Sequence, residues 1–356
     1  MELTELFTPE SIAAYFTQEY SNTMPYIGST FFPARKKAGL DLSWIKGSKG
    51  LPVSLKPSTF DTKATFRDRI GVSKISTEMP FFREGYLLKE KDRQEILRAQ
   101  DSDDPYVQAV INHIYDDTNN LIEGARVVPE RMICQLLAPE SGNVGISISA
   151  NGVNYEYNYD PDGEWKSTNY TAITDDSNKW SSADTCDPIA DLQNMQDIIE
   201  DNTGERPDVA IMSRTTFNYL LNSASVKSAI LAQNTTANVF LTEPIVKAAI
   251  SQILGIDIVV YRKKFKKEDG TVEQFYPDNY VTLLPYGATL GYTWYGTTPE
   301  EADLMGSGQA KVAIVNTGVA ITQIVHPHPV NLETIASEIV LPSYEGMDTV
   351  GVLKVA

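Results

Sequence analysis

The stretch that decides the architecture of this chain is DPYVQAVINHIYDDTNNLIEGARVVPERMICQLL, residues 104–137. Asp104 and Pro105 have the capping and first-turn chemistry with which helices begin. The apolar side chains that follow recur at helical spacing, which predicts one long helix with a single buried stripe. Pro129 lacks a backbone N–H and is expected to kink this helix.

The segment before this helix has a different texture. Residues 40–84 show no sustained helical period but contain several glycines, prolines and short alternating runs. Because a loop of about 45 residues without structure is improbable in a compact domain, the segment predicts a long projecting two-stranded hairpin. Such a hairpin buries little within its own chain and needs a neighbour to rest on. Residues 87–100 then favour a helix.

The same segment carries a charge asymmetry. Residues 35–74 contain ten Lys and Arg but three Asp, whereas the whole chain has a net charge of −17. A basic segment could bind nucleic acid, and it could equally dock on an acidic surface of another copy. The acidic remainder would repel a phosphate backbone, so the charge pattern favours self-association.

Composition limits the class of protein. The length of 356 residues suggests about two domains, and 42% apolar with 22% charged residues is typical of a folded globular chain. No run of 18 apolar residues occurs, and the first residues carry no export signal, so we expect neither a membrane span nor secretion. Cys134 and Cys186 have no Cys or His at metal-binding spacing and are expected to be buried thiols in a reducing cytoplasm.

After the long helix the pattern alternates between strands and helices. Asn151-Gly152 predicts a hairpin between residues 144–149 and 153–159. From Asp187 an α/β unit is expected to extend to about residue 310. Its predicted helices are residues 188–204, 214–222, 225–232 and 243–254, and its predicted strands are 208–212, 256–263, 272–276 and 280–284. Residues 256–263 and 272–276 are expected to pair about Asp269-Gly270, while 311–316, 319–326 and 350–355 are expected to form a different sheet. The pattern indicates an α+β chain with one domain inserted in another.

A search for reactive groups yields no site. The histidines are His113, His326 and His328. His326-Pro327-His328 could in principle bind a metal, but no further Cys or His lies near it in sequence, so a rigid turn leaving a strand is favoured. Gly306-Ser307-Gly308 does not join a strand to a helix, so it is no dinucleotide fingerprint. The acids at 160, 162, 175 and 176 lack the spacing of a calcium loop and favour solvated turns. We therefore expect no catalytic residue, no metal site and no cofactor.

Several short runs resemble a known family. One group is Phe32-Pro33, Leu40-Asp41-Leu42-Ser43-Trp44, Leu51-Pro52-Val53, Arg69-Ile70-Gly71 and Glu90-Lys91-Asp92-Arg93; the other is Phe275-Tyr276-Pro277-Asp278-Asn279, Gly287 and Tyr295-Gly296. With the order of parts, these runs resemble the lambda-type major capsid protein E family of tailed phages, which has the Hong Kong 97 fold. The resemblance implies a non-enzymatic subunit that self-assembles into the icosahedral shell around a phage or prophage genome.

The resemblance also implies a division of the chain. It gives an N-terminal arm (1–39), an extended hairpin loop (40–85), a peripheral domain with the spine helix (86–186), an inserted axial domain (187–310) and closing strands of the peripheral domain (311–356). The loop would lie across a neighbouring subunit, and the axial domain would surround the centres of pentamers and hexamers. We expect no additional helical N-terminal domain that acts as a fused scaffold, in agreement with the branch of the family that uses a separate scaffolding protein.

Partners follow from the same resemblance. We expect other copies in hexamers and pentamers, a scaffolding protein, a portal, a decoration protein and packaged double-stranded DNA bound without sequence specificity, with assembly in the host cytoplasm. The candidate inter-subunit residues are Arg35, Lys46, Lys49, Lys56, Lys63, Arg67, Arg69, Asn234 and Asn238. Some members of this family cross-link a loop lysine to an asparagine of a neighbouring subunit. The lysines 46, 49, 56 and 63 lie in the corresponding region, but no partner acid or asparagine can be identified, so we expect ordinary solvated or paired lysines. Two alternatives remain at this stage: an encapsulin-like compartment with the same fold, and a soluble α/β enzyme.

Overall fold

The structure is a computed structural model that describes residues 25–45, 74–92, 94, 105–150, 152–233, 241–308 and 310–356. At residues 74, 105–119, 232 and 233 only the backbone is described. The chain forms two compact units. Unit 1 comprises residues 1–42, 76–132 and 292–343, and unit 2 comprises 43–75, 133–291 and 344–356. Each unit is therefore assembled from separate stretches of sequence.

The helices and strands of the described residues are numbered in chain order. The helices are α1 (Gly28–Phe31), α2 (Pro105–Leu137), α3 (Glu164–Asn169), α4 (Pro188–Thr203), α5 (Arg214–Asn222), α6 (Ala224–Gln233) and α7 (Glu243–Leu254). The first strands are β1 (Ala34–Lys36), β2 (Asp41–Ile45), β3 (Lys74–Glu78), β4 (Phe81–Leu88), β5 (Gly145–Ala150), β6 (Val153–Asn158), β7 (Tyr170–Ala172), β8 (Val209–Met212) and β9 (Asp257–Val260). The remaining strands are β10 (Lys264–Lys266), β11 (Val272–Gln274), β12 (Tyr280–Leu284), β13 (Thr293–Tyr295), β14 (Lys311–Val315), β15 (Val319–Pro327), β16 (Val330–Pro342) and β17 (Gly351–Lys354).

The long helix predicted from residues 104–137 is confirmed as α2, and Pro129 lies inside it. Among its described side chains, Leu121 and Ile122 join a buried cluster with Val319, Ile321 and Ala336 of the unit 1 sheet region. Burial of these side chains removes apolar surface from water, which is the main stabilising contribution of such a helix. At Leu121 and Ile122 the predicted stripe is thus buried against unit 1.

The sheet of unit 1 has the order β1-β13-β16-β15-β14, and β4 also pairs with β16. β16 is 13 residues long and pairs antiparallel with β15 and with β4. Gly296 permits a close approach beside this strand, because a Cβ there would lie 2.6 Å from Cγ2 of Ile339. The strand β16 is absent from the sequence-based prediction, which ends the preceding strand at His326.

The sheet of unit 2 has the order β7-β17-β12-β8-β9. Helix α4 begins as predicted, with the Asp187 carboxylate accepting a hydrogen bond from the Ala190 N–H at 3.4 Å. It ends at Gly204, whose φ of 74° is a left-handed conformation that glycine adopts readily. Helices α5, α6 and α7 also follow the predicted ranges, and they cover a core whose central strand β12 is fully buried.

Two predictions of secondary structure are wrong, and a third differs in where the helix begins. The strand β9 ends at Val260, and the hairpin about Asp269-Gly270 is formed by β10 and β11. The strand β17 does not join β14 and β15, because it pairs with β12 and β7 in the sheet of unit 2. The helix predicted for residues 87–100 is helical at the described residues 90–92 and 94, but Leu87 and Leu88 belong to β4. The errors at β17 and β4 concern pairing between distant segments, which local patterns do not encode, whereas the hairpin error is a local shift of strand bounds.

Candidate assembly surfaces

The strands β2 and β3 form a two-stranded sheet that brackets the basic segment. Exposed and buried positions alternate along β2, where Leu42 is 2% and Trp44 is 6% exposed. The Trp44 ring packs against Tyr159 with a centroid distance of 5.0 Å. The two ends of the predicted hairpin are therefore held side by side. Its body, residues 46–73, lies outside the described residues.

Arg35 is the one predicted inter-subunit residue within the described part of the chain. It lies on β1, which pairs with β13 in parallel. Its guanidinium stacks over the Tyr292 ring, 3.5 Å from the centroid, and lies 5.9 Å from the centroid of Trp294. This is a cation–π arrangement at an exposed site. Arg35 thus has aromatic partners in its own chain while remaining exposed to solvent.

Neighbouring cations are also paired within the chain. Lys36 forms an ion pair with Glu301, and Arg83 forms one with Glu300. Lys37 donates a hydrogen bond to the Asp41 carbonyl at 2.7 Å. Glu300 and Glu301 begin a π-helix, Glu300–Leu304, and the second carboxylate oxygen of each is buried without a hydrogen-bond partner among the described residues. The two ion pairs neutralise part of the positive charge beside the extended loop.

The other predicted contact residues cannot be placed. Those that lie outside the described residues are Lys46, Lys49, Lys56, Lys63, Arg67, Arg69, Asn234 and Asn238. The segment with Asn234 and Asn238 is flanked by α6 and α7, which contribute Ile230, Val246 and Ile250 to the core of unit 2. The helices on both sides of that segment are thus fixed by buried side chains.

A short anchor holds residues 26–33 inside unit 1. Both carboxylate oxygens of Glu130, which is 3% exposed, accept backbone hydrogen bonds, from the Ile27 N–H at 3.0 Å and the Gly28 N–H at 2.9 Å. Tyr26 donates to Glu123 at 3.3 Å, and its ring faces the guanidinium of Arg126. Glu130 therefore satisfies the free amides at the start of α1.

One carboxyl in unit 1 is buried without a partner. Glu338 on β16 is 1% exposed, and neither of its oxygens has a hydrogen-bond partner. Burial raises the pKa of this carboxyl well above its ordinary value, because the charged form is poorly solvated there. Burial also raises the pKa of the Tyr295 hydroxyl, with the Glu338 charge adding to the shift and Arg126 opposing it.

Within the described ranges, no group of three or more His, Cys, Asp or Glu side chains is placed to hold a metal ion. His326 instead pairs with Glu333 at 2.7 Å across the end of the β15–β16 hairpin. Cys134 and Cys186 are both buried free thiols, as the sequence predicts. In the same part of the chain, no helix combines the length and hydrophobicity needed to span a bilayer.

A model of one protein family matches nearly the whole chain: phage major capsid protein E, over residues 8–347. The chain belongs to this family. It is a major capsid protein, and copies of it associate into the icosahedral shell of a tailed phage or prophage. The encapsulin-like and enzymatic alternatives are not favoured. No curated protein sequence matches the chain significantly.

Solved structures share the fold of this capsid protein. The putative capsid protein of a prophage of Escherichia coli CFT073 has a TM-score of 0.60 at 15% identity, covering 98% of this chain and 99% of that one. A phage-related protein of Bordetella bronchiseptica RB50 has a TM-score of 0.57 at 13% identity, covering 98% and 97%. The capsid asymmetric unit of cyanophage A-1(L) has a TM-score of 0.52 at 13% identity, covering 94% of each chain. The expected α+β fold of the Hong Kong 97 type is thereby confirmed.

Sequence reasoning missed two features of the capsid protein. The anchor joins residues about a hundred positions apart, and no local pattern marks Glu130 as its acceptor. Glu338 carries a weak signal, because it is the only acid in the apolar run from Ile335 to Leu341. A lone acid on a buried strand is unusual enough to draw attention.

Proposed function

We propose that this capsid protein builds its shell from hexamers and pentamers in which residues 40–85 lie across a neighbouring copy. The stem formed by β2 and β3 is the observation that carries the proposal. It ties the two ends of the basic segment together, so the intervening 46–73 leave and return at one place. The segment between the strands carries the cations Lys46, Lys49, Lys56, Lys63, Arg67 and Arg69.

Charge supports an acidic neighbour as the resting place of this loop. The described cations beside the stem, Lys36 and Lys37, already have partners in their own chain. Residues 101–356 carry 15 Lys and Arg against 35 Asp and Glu, so most of the remaining surface is acidic. An exposed ion pair contributes only about 0–1 kcal/mol, but a shell repeats each pair many times. Arg35, exposed on β1, belongs to the same proposed contact surface.

The test replaces Lys46, Lys49, Lys56 and Lys63 together by Gln. We expect weaker shell formation, and we expect added salt to weaken wild-type assembly through screening of the exposed pairs. Light scattering and sedimentation measure the assembled fraction. A matched control replaces four lysines of unit 2 that lie outside the extended loop, Lys179, Lys227, Lys247 and Lys267. Equal assembly of both variants and the wild type across a range of salt would refute the contact between the extended loop and a neighbouring subunit.

The inserted region, residues 187–310, is proposed to surround the fivefold and quasi-sixfold axes. The polar segment with Asn234 and Asn238 connects α6 to α7 and is the candidate for the axis itself. A charge at an axis is repeated five or six times around one point, so like charges meet at short range. Residues 1–39 are proposed to form the N-terminal arm, and residues 86–186 with 311–356 the peripheral domain.

This placement is tested by Asn234→Glu with Asn238→Glu. We expect the double variant to form capsomers poorly. The control places two acids at exposed positions on and beside the turn that contains Asp162 and Gly163, as Pro161→Glu and Ser167→Glu. Gly163 itself is kept, because its φ of 70° is a left-handed conformation that strains other residues. Both variants must retain the wild-type circular dichroism spectrum. Equal capsomer yields from the two variants would remove residues 234–238 from the axis.

The remaining roles complete the proposal. The capsid protein assembles in the host cytoplasm with a scaffolding protein, a portal and a decoration protein, and its shell encloses double-stranded DNA without reading its sequence. It performs no catalytic turnover. The strongly acidic composition opposes tight binding to phosphates, because like charges repel. This supports contacts with the packaged DNA that are weak and independent of its sequence. A stable association with short DNA at physiological salt would contradict this part.

A further inference from the structure

The Glu338 side chain lies on the face of β16 that packs beneath α2. Successive residues of a strand point to opposite faces, so Glu338 shares its face with Ala336. Ala336 belongs to the buried cluster with Leu121 and Ile122 of α2. The pairing of β16 with β4 continues without a break through Ser337, Glu338 and Ile339, which fixes this orientation.

The surroundings of the Glu338 carboxyl are nearly free of charge. Its paired neighbour on β4 is Phe82, and its neighbours two positions away on β16 are Ala336 and Val340. The one charged residue of β4 on the same face is Glu84, which pairs with Ala336 and is exposed to solvent. Beyond the end of the β15 pairing lies the buried Val319. From β13 the titratable Tyr295 lies within electrostatic reach, and from α2 the charged Arg126 acts on the same tyrosine.

Arg126 does not neutralise Glu338. Its guanidinium is ion-paired with Glu123 at 3.2 Å and lies over the ring of Tyr26, 5.3 Å from the centroid. Both Glu338 oxygens lack a hydrogen-bond partner among the residues that the structure describes. A buried carboxylate without hydrogen bonds or a counter-ion is strongly disfavoured, whereas a neutral carboxylic acid is tolerated. The described packing therefore fits the protonated side chain only.

We propose that Glu338 is a proton-operated latch, which keeps α2 packed on the unit 1 sheet while its carboxyl is neutral and loosens that packing when the carboxyl ionises. Ionisation requires water or a cation at the oxygens, and either has to enter between α2 and the sheet. The same loosening reaches residues 26–33, since α2 also presents Glu123, Arg126 and Glu130 to that anchor. This inference goes beyond the proposed subunit contacts and does not depend on them.

The direction of the pH dependence follows from linkage. In the unfolded chain Glu338 has the ordinary pKa of 4.5, and in the folded chain its pKa is higher. The native state therefore holds more protons than the unfolded state above that value, so stability falls as pH rises. The contribution is fully present below the unfolded pKa and is lost as pH rises through the folded pKa.

The experiment compares the full-length wild type with Glu338→Gln, whose amide mimics the neutral acid. Denaturant unfolding is measured from about pH 5 to about pH 8. We expect the folded-to-unfolded ratio of the wild type to fall up to about tenfold per pH unit relative to Glu338→Gln, until the folded pKa is reached. The control is Glu156→Gln, which removes the same charge from an exposed position on β6 in unit 2 and should keep the wild-type slope.

Two further readouts keep the proposal testable if Glu338→Gln folds poorly. Infrared spectroscopy of the wild type at neutral pH should show the carbonyl stretch of a protonated carboxyl, and Glu338→Leu should remove it. Hydrogen exchange at Leu121 and Ile122 should accelerate with pH beyond the intrinsic chemical rate in the wild type, and less so in Glu338→Leu. A wild type without a protonated-carboxyl band, or identical pH slopes in wild type and variants, would overturn the latch. Assembly yields bear only on the subunit contacts, so the two proposals fail separately.

Discussion

The two units of this capsid protein differ in which buried polar groups lack a hydrogen-bond partner. In unit 2 the central strand β12 is buried along its whole length, and among the described residues its buried polar atoms without hydrogen-bond partners include those of the neutral Trp44, Ser223 and Asn279. In unit 1 such atoms include carboxylate oxygens of Glu300, Glu301 and Glu338. Unit 1 also exposes large apolar side chains at the far end of its sheet: Tyr86, Leu87, Val325 and Val330.

This difference indicates where each unit obtains its stability. Unit 2 surrounds its sheet with α4, α5, α6 and α7, whose apolar faces meet in one buried cluster. Its stability is therefore set mainly by apolar packing. Unit 1 combines an apolar cluster with buried carboxyl groups, so we expect its stability to depend also on the protonation of Glu338.

The largest effect is expected from the core of unit 2. Ile250 on α7 is 0% exposed, while Ile253 on the same helix is 38% exposed. Ile250→Ala should lower the free energy of unfolding by about 2–5 kcal/mol, because it leaves a cavity. Ile253→Ala should change it by about 0.5 kcal/mol at most. Denaturant unfolding measures both, and similar losses would mean that the core of unit 2 is not packed as described.

A smaller effect is expected from the anchor of unit 1. Glu130→Ala removes the acceptor of two backbone amides and should lower the unfolding free energy by about 2–3 kcal/mol. Hydrogen exchange at Ile27 and Gly28 should accelerate at the same time. Glu130→Gln retains one acceptor oxygen and should lie between wild type and Glu130→Ala. Unchanged exchange at both amides in Glu130→Ala would contradict the anchor.

The smallest effect is expected at Arg35. Arg35→Gln removes a cation from the Tyr292 ring and should cost about 0.5–1 kcal/mol. Lys89→Gln removes the same charge from an exposed residue and serves as the control. The difference between the two variants in thermal unfolding isolates the ring contact. If Lys89→Gln is as destabilising as Arg35→Gln, the stacking contributes nothing.

Features marked by local sequence signals could be predicted, whereas features that depend on distant segments could not. The helices of unit 2 could be predicted because Asp187, Gly204 and Gly255 are local signals of helix ends. The strand β16 could not, because its identity depends on pairing with β15 and β4 across distant sequence. The same holds for the anchor and for Glu338, whose significance lies in what surrounds them. Of the predicted contact residues, Arg35 alone falls within the described structure, and all of them, Arg35 included, stay predictions as inter-subunit contacts.

Cryo-electron microscopy of particles formed by the full-length chain tests the central claim most directly. The account predicts closed icosahedral shells in which residues 46–73 of each copy cross onto the adjacent subunit. Its basic side chains should then lie against acidic residues of that neighbour. A chain that remains a compact monomer with and without a scaffold, or shells in which residues 46–73 fold back on their own subunit, would contradict it.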